Sequence, residues 1–161
     1  MAPTTTQLRQ NGTEISLIVN DERTKNDLGQ RTGLGGTIKF NGDMADLVRS
    51  SLADRFIRKG FSIAKDHSGQ NVLRIDIRQV EYKQTIRFFG PKVGVNVAMK
   101  ITLTNRSGTY EQFYRVDDRE NLMIVPSANQ DNERISGAIS VVLDKIVGDP
   151  SLTQRLYPAS Q

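Results

Sequence analysis

The sequence contains no cysteine and only one histidine, which removes several classes of chemistry. Without cysteine the chain cannot form a disulfide, a thiolate nucleophile or a cysteine-ligated metal site. His67 has no second histidine or cysteine with which to share a metal ion. It neighbours Asp66 in an expected loop, and no nucleophile-elbow motif lies near it, so a serine-hydrolase triad is not expected. The sequence therefore predicts neither a metal nor a cofactor.

Long hydrophobic runs are also missing. No apolar segment approaches the roughly 18 residues of a membrane-spanning helix. The opening segment Met1–Gln7 carries no charged-then-apolar leader. Such an opening is expected of a cytosolic protein, and equally of an exported protein whose leader is absent from the sequence, so the two compartments stay open at this point.

Charge of one sign is not concentrated anywhere in the chain. The formal net charge is +4 with a sequence pI of about 9.5, and basic residues alternate with acidic ones. This pattern favours acidic partners weakly, and it lacks the basic stripe of a nucleic-acid-binding protein. We therefore predict no nucleic-acid partner.

Hydrophobic periodicity predicts an α+β fold in one domain of 161 residues. Apolar alternation predicts strands, and apolar residues spaced three or four apart predict helices. In chain order these are a strand at 15–19, a helix at 44–59, a meander at 73–86, 93–103 and 110–116, and a helix at 129–147. The order is β-α-β-β-β-α, which predicts a mainly antiparallel sheet of about four strands with both helices on one face. The domain spans 13–161 after a flexible, tether-like arm at 1–12.

Several finer features accompany this fold. The apolar phase slips within the first meander strand, which predicts a β-bulge near Gln79. Residues 21–42 are predicted to be a loop with a possible short strand at Thr37–Phe40, and Phe61 with Ile63 forms a short edge element. The apolar stripe of the first helix is predicted to include Met44, Leu47, Val48, Leu52 and Phe56. A short last helix starts at Pro150.

Two polar or flexible segments resemble ligand motifs without meeting their requirements. The glycines at 29, 33, 35 and 36 suggest a phosphate loop, but the Gly-Lys-Ser/Thr ending and a directly following helix are missing. Asp117, Asp118 and Glu120 lack the alternating ligands and glycine of a calcium loop. We expect flexible loop geometry from the glycines and a solvated turn at 117–120.

Asp21 and Arg23 form the polar pair whose placement looks specific. Two residues apart at a strand end, they can point the same way and pair with each other. One interpretation is an ionic clasp that braces the following loop, and an exposed pair of this kind contributes about 0–1 kcal/mol. The other is a polar recognition site. With Thr24 and Gly29 they form the candidate binding or loop-bracing set.

Two further groups are candidate contact surfaces. Phe88 and Phe89 stand beside the Gly-Pro turn of a predicted hairpin, where aromatic rings either mark a contact surface or fold back onto the sheet. Arg74, Arg78 and Lys83 follow the wet face of the first meander strand and could meet an anionic group.

The ordered series of these segments resembles the YajG family of Gram-negative bacterial lipoproteins over about residues 13–156. The resemblance rests on these segments: Val19-Asn-Asp-Glu-Arg-Thr24, Leu28-Gly29, Arg58-Lys-Gly-Phe61, Asn71-Val-Leu-Arg-Ile75, the Val-rich strand from Val93, Tyr110–Arg115 and Ile139–Asp144. The Asp-x-Arg-Thr signature is short, and the order of the other segments supports it.

The resemblance implies a small α+β domain without established catalytic activity. It implies a lipidated amino-terminal cysteine that tethers the protein to the outer membrane, with the domain facing the periplasm. The sequence has neither a leader nor that cysteine, which is expected if both were removed. The arm at 1–12 would then be the spacer to the anchor.

Three functions follow as hypotheses. The first is a non-catalytic, periplasm-facing domain that binds or scaffolds an envelope protein, or associates with itself. The second is a soluble enzyme that uses Asp21, Arg23 and the stretch 117–120. The third is a domain that binds an anionic glycan or lipid head group through Arg74, Arg78 and Lys83.

Overall fold

The computed structural model describes residues 13–31, 36–67 and 69–157, which form one α+β domain. The strands in these ranges are β1 (Glu14–Asp21), β2 (Asp27–Gln30), β3 (Thr37–Lys39), β4 (Ser62–Ile63), β5 (Asn71–Arg87), β6 (Gly90–Asn105) and β7 (Gly108–Asn121). The helices are α1 (Met44–Arg58), α2 (Ala128–Gly148) and α3 (Pro150–Leu156). The predicted α+β class is confirmed, and the predicted arm at 1–12 lies outside the described residues.

One mixed sheet contains all seven strands of the described ranges. β5, β6 and β7 form the predicted antiparallel meander. β6 covers one edge of β5 from Val72 to Arg87, so β1 and β2 share the other edge, and both run parallel to β5. β4 pairs parallel with β1, and β3 pairs antiparallel with β2. The prediction of a mainly antiparallel sheet of about four strands is therefore wrong.

Strand length and chain connection explain this difference. β2, β3 and β4 contain 4, 3 and 2 residues, which is too short for a period-two pattern to stand out. β3 and β4 coincide with the short elements predicted near 37–40 and 61–63, whereas β2 lies in a segment predicted to be a loop. β1 and β5 are joined through α1, and a helical crossover of this kind connects parallel strands.

β5 changes its buried face in mid-strand without leaving the core. Its buried apolar side chains stand at odd numbers up to Ile77 and at even numbers from Val80. Ile77 lies opposite Met99, whereas Gln79 lies opposite Ala98, so β5 holds one extra residue between these two pairs. A bulge of one residue returns the apolar set to the helix-facing side. The bulge predicted near Gln79 is confirmed.

Side-chain caps define the starts of both long helices. The Asp43 carboxylate accepts from the backbone N–H groups of Ala45 and Asp46 at 2.8 and 3.2 Å. Ser127 and Gln130 form a capping box at the start of α2. These contacts satisfy amide groups that the first turn of a helix leaves without partners. The helix bounds predicted at 44–59 and 129–147 agree with the structure to within one residue.

The two long helices lie side by side over the sheet. Arg55 of α1 donates to Asp144 and to Ser140 of α2, at 2.8 and 2.6 Å. Lys59 donates to the Val147 carbonyl at 2.7 Å. These contacts agree with the prediction that both helices cover one face. The core between helices and sheet includes the fully buried Val48, Leu52, Ile75, Val97, Met99, Val142 and Ile146.

Two predictions about burial and polarity are wrong. Leu47 is 36% exposed, because the buried stripe of α1 is narrower than expected and runs through Met44, Val48, Leu52 and Phe56. The acidic stretch 117–120 belongs to β7 and is not a turn. Among the described strands β7 pairs only with β6, and polar side chains suit such an edge strand because one side of it meets water.

Candidate functional site

Asp21 and Arg23, here called the clamp, lie where β1 ends against β5. Arg23 donates from Nε to Asp21 Oδ1 at 2.8 Å and from NH2 to Oδ2 at 2.6 Å. Its backbone N–H also donates to Oδ1 at 3.2 Å. The side-chain hydrogen bonds from Arg23 hold the pKa of Asp21 below its ordinary value, against an opposing effect of burial. The clamp therefore braces the segment that follows β1.

Arg23 is far more buried than the exposed pair expected from the sequence. Its side chain is 8% exposed, against 27% for that of Asp21. NH1, the guanidinium nitrogen that does not face Asp21, is buried and has no hydrogen-bond acceptor among the described residues. A buried donor without an acceptor is unusual, because desolvation of a polar group is costly. The clamp thus holds one arginine nitrogen in place with its hydrogen-bonding capacity unused.

A cleft of about 530 Å³ runs along the edge of β5, beside the segment between β1 and β2. Arg23, Thr24 and Gly29 from the predicted binding set line this cleft, as do Arg78 and Lys83 from the predicted anionic surface. Its remaining charged lining residues are Lys25, Asp27 and Glu81. The structure therefore brings together residues that the sequence placed in two separate groups, whereas Arg74 is not part of the lining.

Gly29 has a steric role at this site. It lies opposite Tyr82 in the β2–β5 pair with φ +132°. A Cβ atom at this position would stand 2.0 Å from the Tyr82 carbonyl oxygen. Only glycine allows both this φ and this close approach, so Gly29 fixes β2 along the cleft.

The predicted basic surface on β5 is largely neutralised by carboxylates. Arg74 contacts Asp76 at 2.8 Å and Glu22 at 3.3 Å, and Arg78 contacts Glu22 at 2.8 Å. Burial disfavours ionisation of Asp76, but hydrogen bonds from Arg74 and Asn20 outweigh it and lower the pKa of Asp76. Arg74 and Arg78 consequently form a charge network instead of a free cationic surface.

A buried polar group joins β2, β5 and α2. Asp131, which is 1% exposed, accepts a hydrogen bond from the Tyr82 hydroxyl at 2.6 Å. Arg31 Nε lies 2.8 Å from the other Asp131 oxygen as an ion pair, and Arg31 NH2 donates to the Pro126 carbonyl at 2.5 Å. Burial and the bond to Asp131 raise the pKa of Tyr82. Sequence reasoning missed this group, because Asp131 stands in a polar helical turn with no distinguishing pattern.

The other candidate surface is the exposed turn between β5 and β6. Phe88 is 95% exposed and Phe89 is 87% exposed, and their rings meet edge to face with centroids 5.1 Å apart. The two rings therefore do not fold back onto the sheet, and their role as a contact surface stays a prediction. Ile86, at the end of β5, is 61% exposed.

A second apolar segment adjoins this turn. Met123, Ile124 and Val125 follow β7 and are 89%, 79% and 50% exposed. The backbone at Gly90 packs against that of the segment, since a Cβ on Gly90 would stand 2.2 Å from the Leu122 carbonyl oxygen. We call this surface the apolar end, and it consists of Ile86, Phe88, Phe89, Met123, Ile124 and Val125. Its second part could have been found from the run of four apolar residues at 122–125, which belongs to no helical or strand pattern.

The remaining sequence candidates do not join either surface. His67 is exposed in the turn after β4, and it does not line the cleft. Asp117 pairs with Arg119 at 2.9 Å, and Glu120 pairs with Arg134 of α2. Among residues 13–31, 36–67 and 69–157, no three His, Cys, Asp or Glu side chains are grouped closely enough to hold a metal ion.

None of the helices in the described ranges has the length and apolar character needed to cross a membrane.

The fold recurs in solved bacterial proteins of low sequence identity. A minor lipoprotein from Acinetobacter baumannii has a TM-score of 0.50 and 13% identity, covering 89% of this chain and 90% of that one. A Xanthomonas campestris protein has a TM-score of 0.57 and 14% identity, covering 83% and 81%. A Helicobacter pylori protein, described as a homologue of a neuraminyllactose-binding hemagglutinin, has a TM-score of 0.52 and 13% identity, covering 92% and 88%. At these identities the likeness establishes the fold alone.

The class of protein is therefore a small α+β domain in which helices cover a mixed sheet. A sequence model of a family described as uncharacterised lipoprotein matches residues 1–157, and the chain belongs to this family. Membership indicates a membrane-anchored protein of the cell envelope. The curated proteins include none that matches the sequence. The narrower YajG name stays a prediction.

Proposed function

We propose that the protein is a non-catalytic domain of an outer-membrane lipoprotein that faces the periplasm and docks an envelope protein through its apolar end. The single observation that carries this proposal is the near-complete exposure of Phe88 and Phe89. Large apolar groups clustered on a surface are typical of interaction sites, because leaving them in water is unfavourable.

Charge at the apolar end favours a partner with an acidic rim. Arg87 and Lys92 flank the turn that carries the two phenylalanines. Neither has an ion-pair partner among the described residues, in contrast to the paired Arg74 and Arg78. Electrostatic complementarity would orient an acidic partner on this surface before apolar contact forms.

The direction of the strands favours a protein over the anchoring membrane as the occupant. β1 begins beside Asn71, so an anchor that precedes the domain joins it at the start of β5. The apolar end lies beyond the other end of the 17-residue β5, about 50 Å away at the usual rise of a strand. If β5 stands perpendicular to the membrane that holds the anchor, the phenylalanines lie at the end of the domain far from that membrane.

The enzyme and the basic-surface alternatives receive less support. Both carboxylate oxygens of Asp21 accept from Arg23, and residues 117–120 do not line the cleft. The polar groups that the enzyme hypothesis combines are thus not brought together in this cleft, and the Asp21 carboxylate is already occupied. Arg74 and Arg78 are likewise occupied by carboxylates, which weakens the surface proposed for a glycan or lipid head group.

Site-specific photo-crosslinking of the native lipidated protein tests the docking proposal. A photoreactive amino acid replaces Phe88 in one variant and Phe113 in a matched control. Phe113 is also a strongly exposed phenylalanine at 64%, but it lies on β7 away from the apolar end. We expect a discrete adduct with a second envelope protein from position 88 and none from position 113.

Other outcomes contradict parts of the proposal. Equal labelling from both positions, or no adduct from position 88, would contradict the proposal that the apolar end is a docking surface. An adduct between two copies of this chain would show that the apolar end mediates self-association and does not dock a different envelope protein. An adduct with lipid alone would assign the apolar end to a bilayer.

A further inference from the structure

We propose that the cleft beside the clamp binds a small, hydroxyl-rich molecule that carries one carboxylate, such as a sugar acid. The anchoring group is NH1 of Arg23. This site is separate from the apolar end, and nothing in the docking proposal requires it.

The first argument is the orientation of Arg23. Asp21 accepts from Nε and NH2 of the guanidinium, so the group is fixed with NH1 on the opposite side. NH1 is buried without an acceptor among the residues described, and the arginine lines the cleft. A carboxylate oxygen reaching NH1 would give a charge-assisted hydrogen bond without any need to reorient the arginine. NH1 is covered in this structure, so the ligand must displace the group that covers it.

The second argument is the charge of the cleft. Its cationic lining residues are Arg23, Lys25, Arg78 and Lys83. Its acidic lining residues are Asp27 and Glu81. Asp21 pairs with Arg23, and Glu22 and Asp76 pair with both Arg78 and the neighbouring Arg74. With Arg74 included, five cations stand against five carboxylates, and the local balance is near neutral. A dianion such as a phosphate monoester gains little from such a lining, whereas one carboxylate placed at one donor fits it.

The third argument is the hydrogen-bonding character of the walls. Thr24, Gln30, Gln79 and Thr85 also line the cleft, and their hydroxyl and amide groups both donate and accept. A volume of about 530 Å³ lies within the range of small-molecule sites. These walls suit the hydroxyl groups of a saccharide better than an apolar ligand.

The test is a titration of the purified 161-residue chain, followed by NMR through the side-chain Nε–H resonance of Arg23 and the backbone amides around it. The probes are glucuronate, glucose and inorganic phosphate at neutral pH. Glucose is matched to glucuronate except that a hydroxymethyl group replaces the carboxylate. We expect glucuronate to shift the Arg23 resonance with a Kd of about 1 mM. Glucose and phosphate should bind at least about tenfold more weakly.

Variants separate a binding role from a bracing role. Arg23→Lys keeps the charge but removes the NH1 donor, and Lys83→Gln alters the lining without touching the clamp. Lys145→Gln is the control, because Lys145 is a cation of α2 that lines neither the cleft nor the apolar end. We expect Arg23→Lys to weaken glucuronate binding about tenfold or more and Lys83→Gln about threefold, with no change in the control.

The negative outcomes are distinct from those of the docking proposal. No glucuronate-dependent shift at 50-fold the expected Kd of about 1 mM would overturn the inference. Equal affinity for glucose would show that the carboxylate does not contribute to binding. Tighter binding of phosphate than of glucuronate would contradict the argument from charge. If Arg23→Lys disturbs the fold, Lys83→Gln still decides whether the shift arises in the cleft. Crosslinking from Phe88 depends on none of these results.

Discussion

Phenylalanine occupies two opposite environments in this protein. Phe56 of α1 is 1% exposed and meets Phe61 edge to face, with ring centroids 5.6 Å apart. Phe88 meets Phe89 in nearly the same geometry at 5.1 Å, yet it is 95% exposed. The first pair belongs to the buried core, and the second lies in the turn between β5 and β6. The same aromatic contact therefore stabilises the fold in one region and remains available to a partner in the other.

Hydrogen bonds hold both ends of the segment 122–126 in the apolar end, although its side chains are exposed. The Leu122 N–H donates to the Pro91 carbonyl at 2.8 Å, which joins the segment after β7 to the start of β6. Arg31 holds the Pro126 carbonyl at the other end of that segment. An exposed surface with fixed backbone loses little conformational freedom on binding, which favours a specific partner.

The largest effect on stability is expected at Phe56, the buried phenylalanine of the comparison above. Phe56→Ala should lower the free energy of unfolding by about 3–5 kcal/mol, because it removes buried surface and leaves a cavity. Urea unfolding measures this value. A loss below about 1 kcal/mol would mean that the helix-covered region is not the stabilising core.

A smaller effect is expected at the glycine that joins the hairpin turn to the segment after β7. Gly90→Ala should lower the free energy of unfolding by about 1–3 kcal/mol, because φ is +117° and the new Cβ would meet the Leu122 carbonyl. Gly108→Ala is the matched control, with φ +123° at the other hairpin and no atom within 4 Å. Thermal unfolding that ranks the two equally would show that strain alone matters and that the contact at Leu122 does not.

The clamp should give an effect of similar or smaller size that depends on pH. Asp21→Asn is expected to lower the free energy of unfolding by about 1–2 kcal/mol at neutral pH. The pKa of Asp21 is lowered in the folded protein, so its contribution is complete above the unfolded value of about 3.9. It disappears as the pH falls through the lower folded value.

Unfolding curves of the wild type and Asp21→Asn should therefore converge in strong acid. A difference that stays constant from neutral pH to pH 2 would mean that the effect of the substitution does not come from the ionised carboxylate.

The smallest effect on stability is expected at Phe88, the exposed phenylalanine of the comparison above. Phe88→Ala should change the free energy of unfolding by less than about 0.5 kcal/mol, because the ring contributes almost no buried surface. Crosslinking and pull-down from the native envelope should nevertheless fall strongly. A stability loss comparable to that of Phe56→Ala would contradict the division between the two regions.

Much of the fold followed from periodicity in the sequence. The alternation of β6 runs from Val93 to Leu103 without interruption, and the slip of phase in β5 correctly predicted a bulge. The capping residue Asp43 placed the start of α1. These features are local, so a window of a few residues contains the information.

The features that the sequence did not reveal depend on distant contacts. The parallel pairing of β1 with β5 leaves no mark on the alternation of either strand. β2 is too short to be recognised, and the spacing of Asp21 and Arg23 does not indicate that the Arg23 side chain is only 8% exposed. Asp21 and Arg23 were recognisable as a pair, but the unused NH1 donor could not be anticipated from their spacing.

The one-residue bulge at Arg78 restricts the insertions and deletions that this strand can accept during evolution. Every position of β5 beyond the bulge is counted from it, including Tyr82 and its hydroxyl contact with Asp131. Loss of one residue there would move every side chain beyond the bulge to the opposite face of the sheet. Homologues should therefore gain or lose residues in this stretch in pairs, or move the bulge, while single-residue changes in length should be confined to the loops.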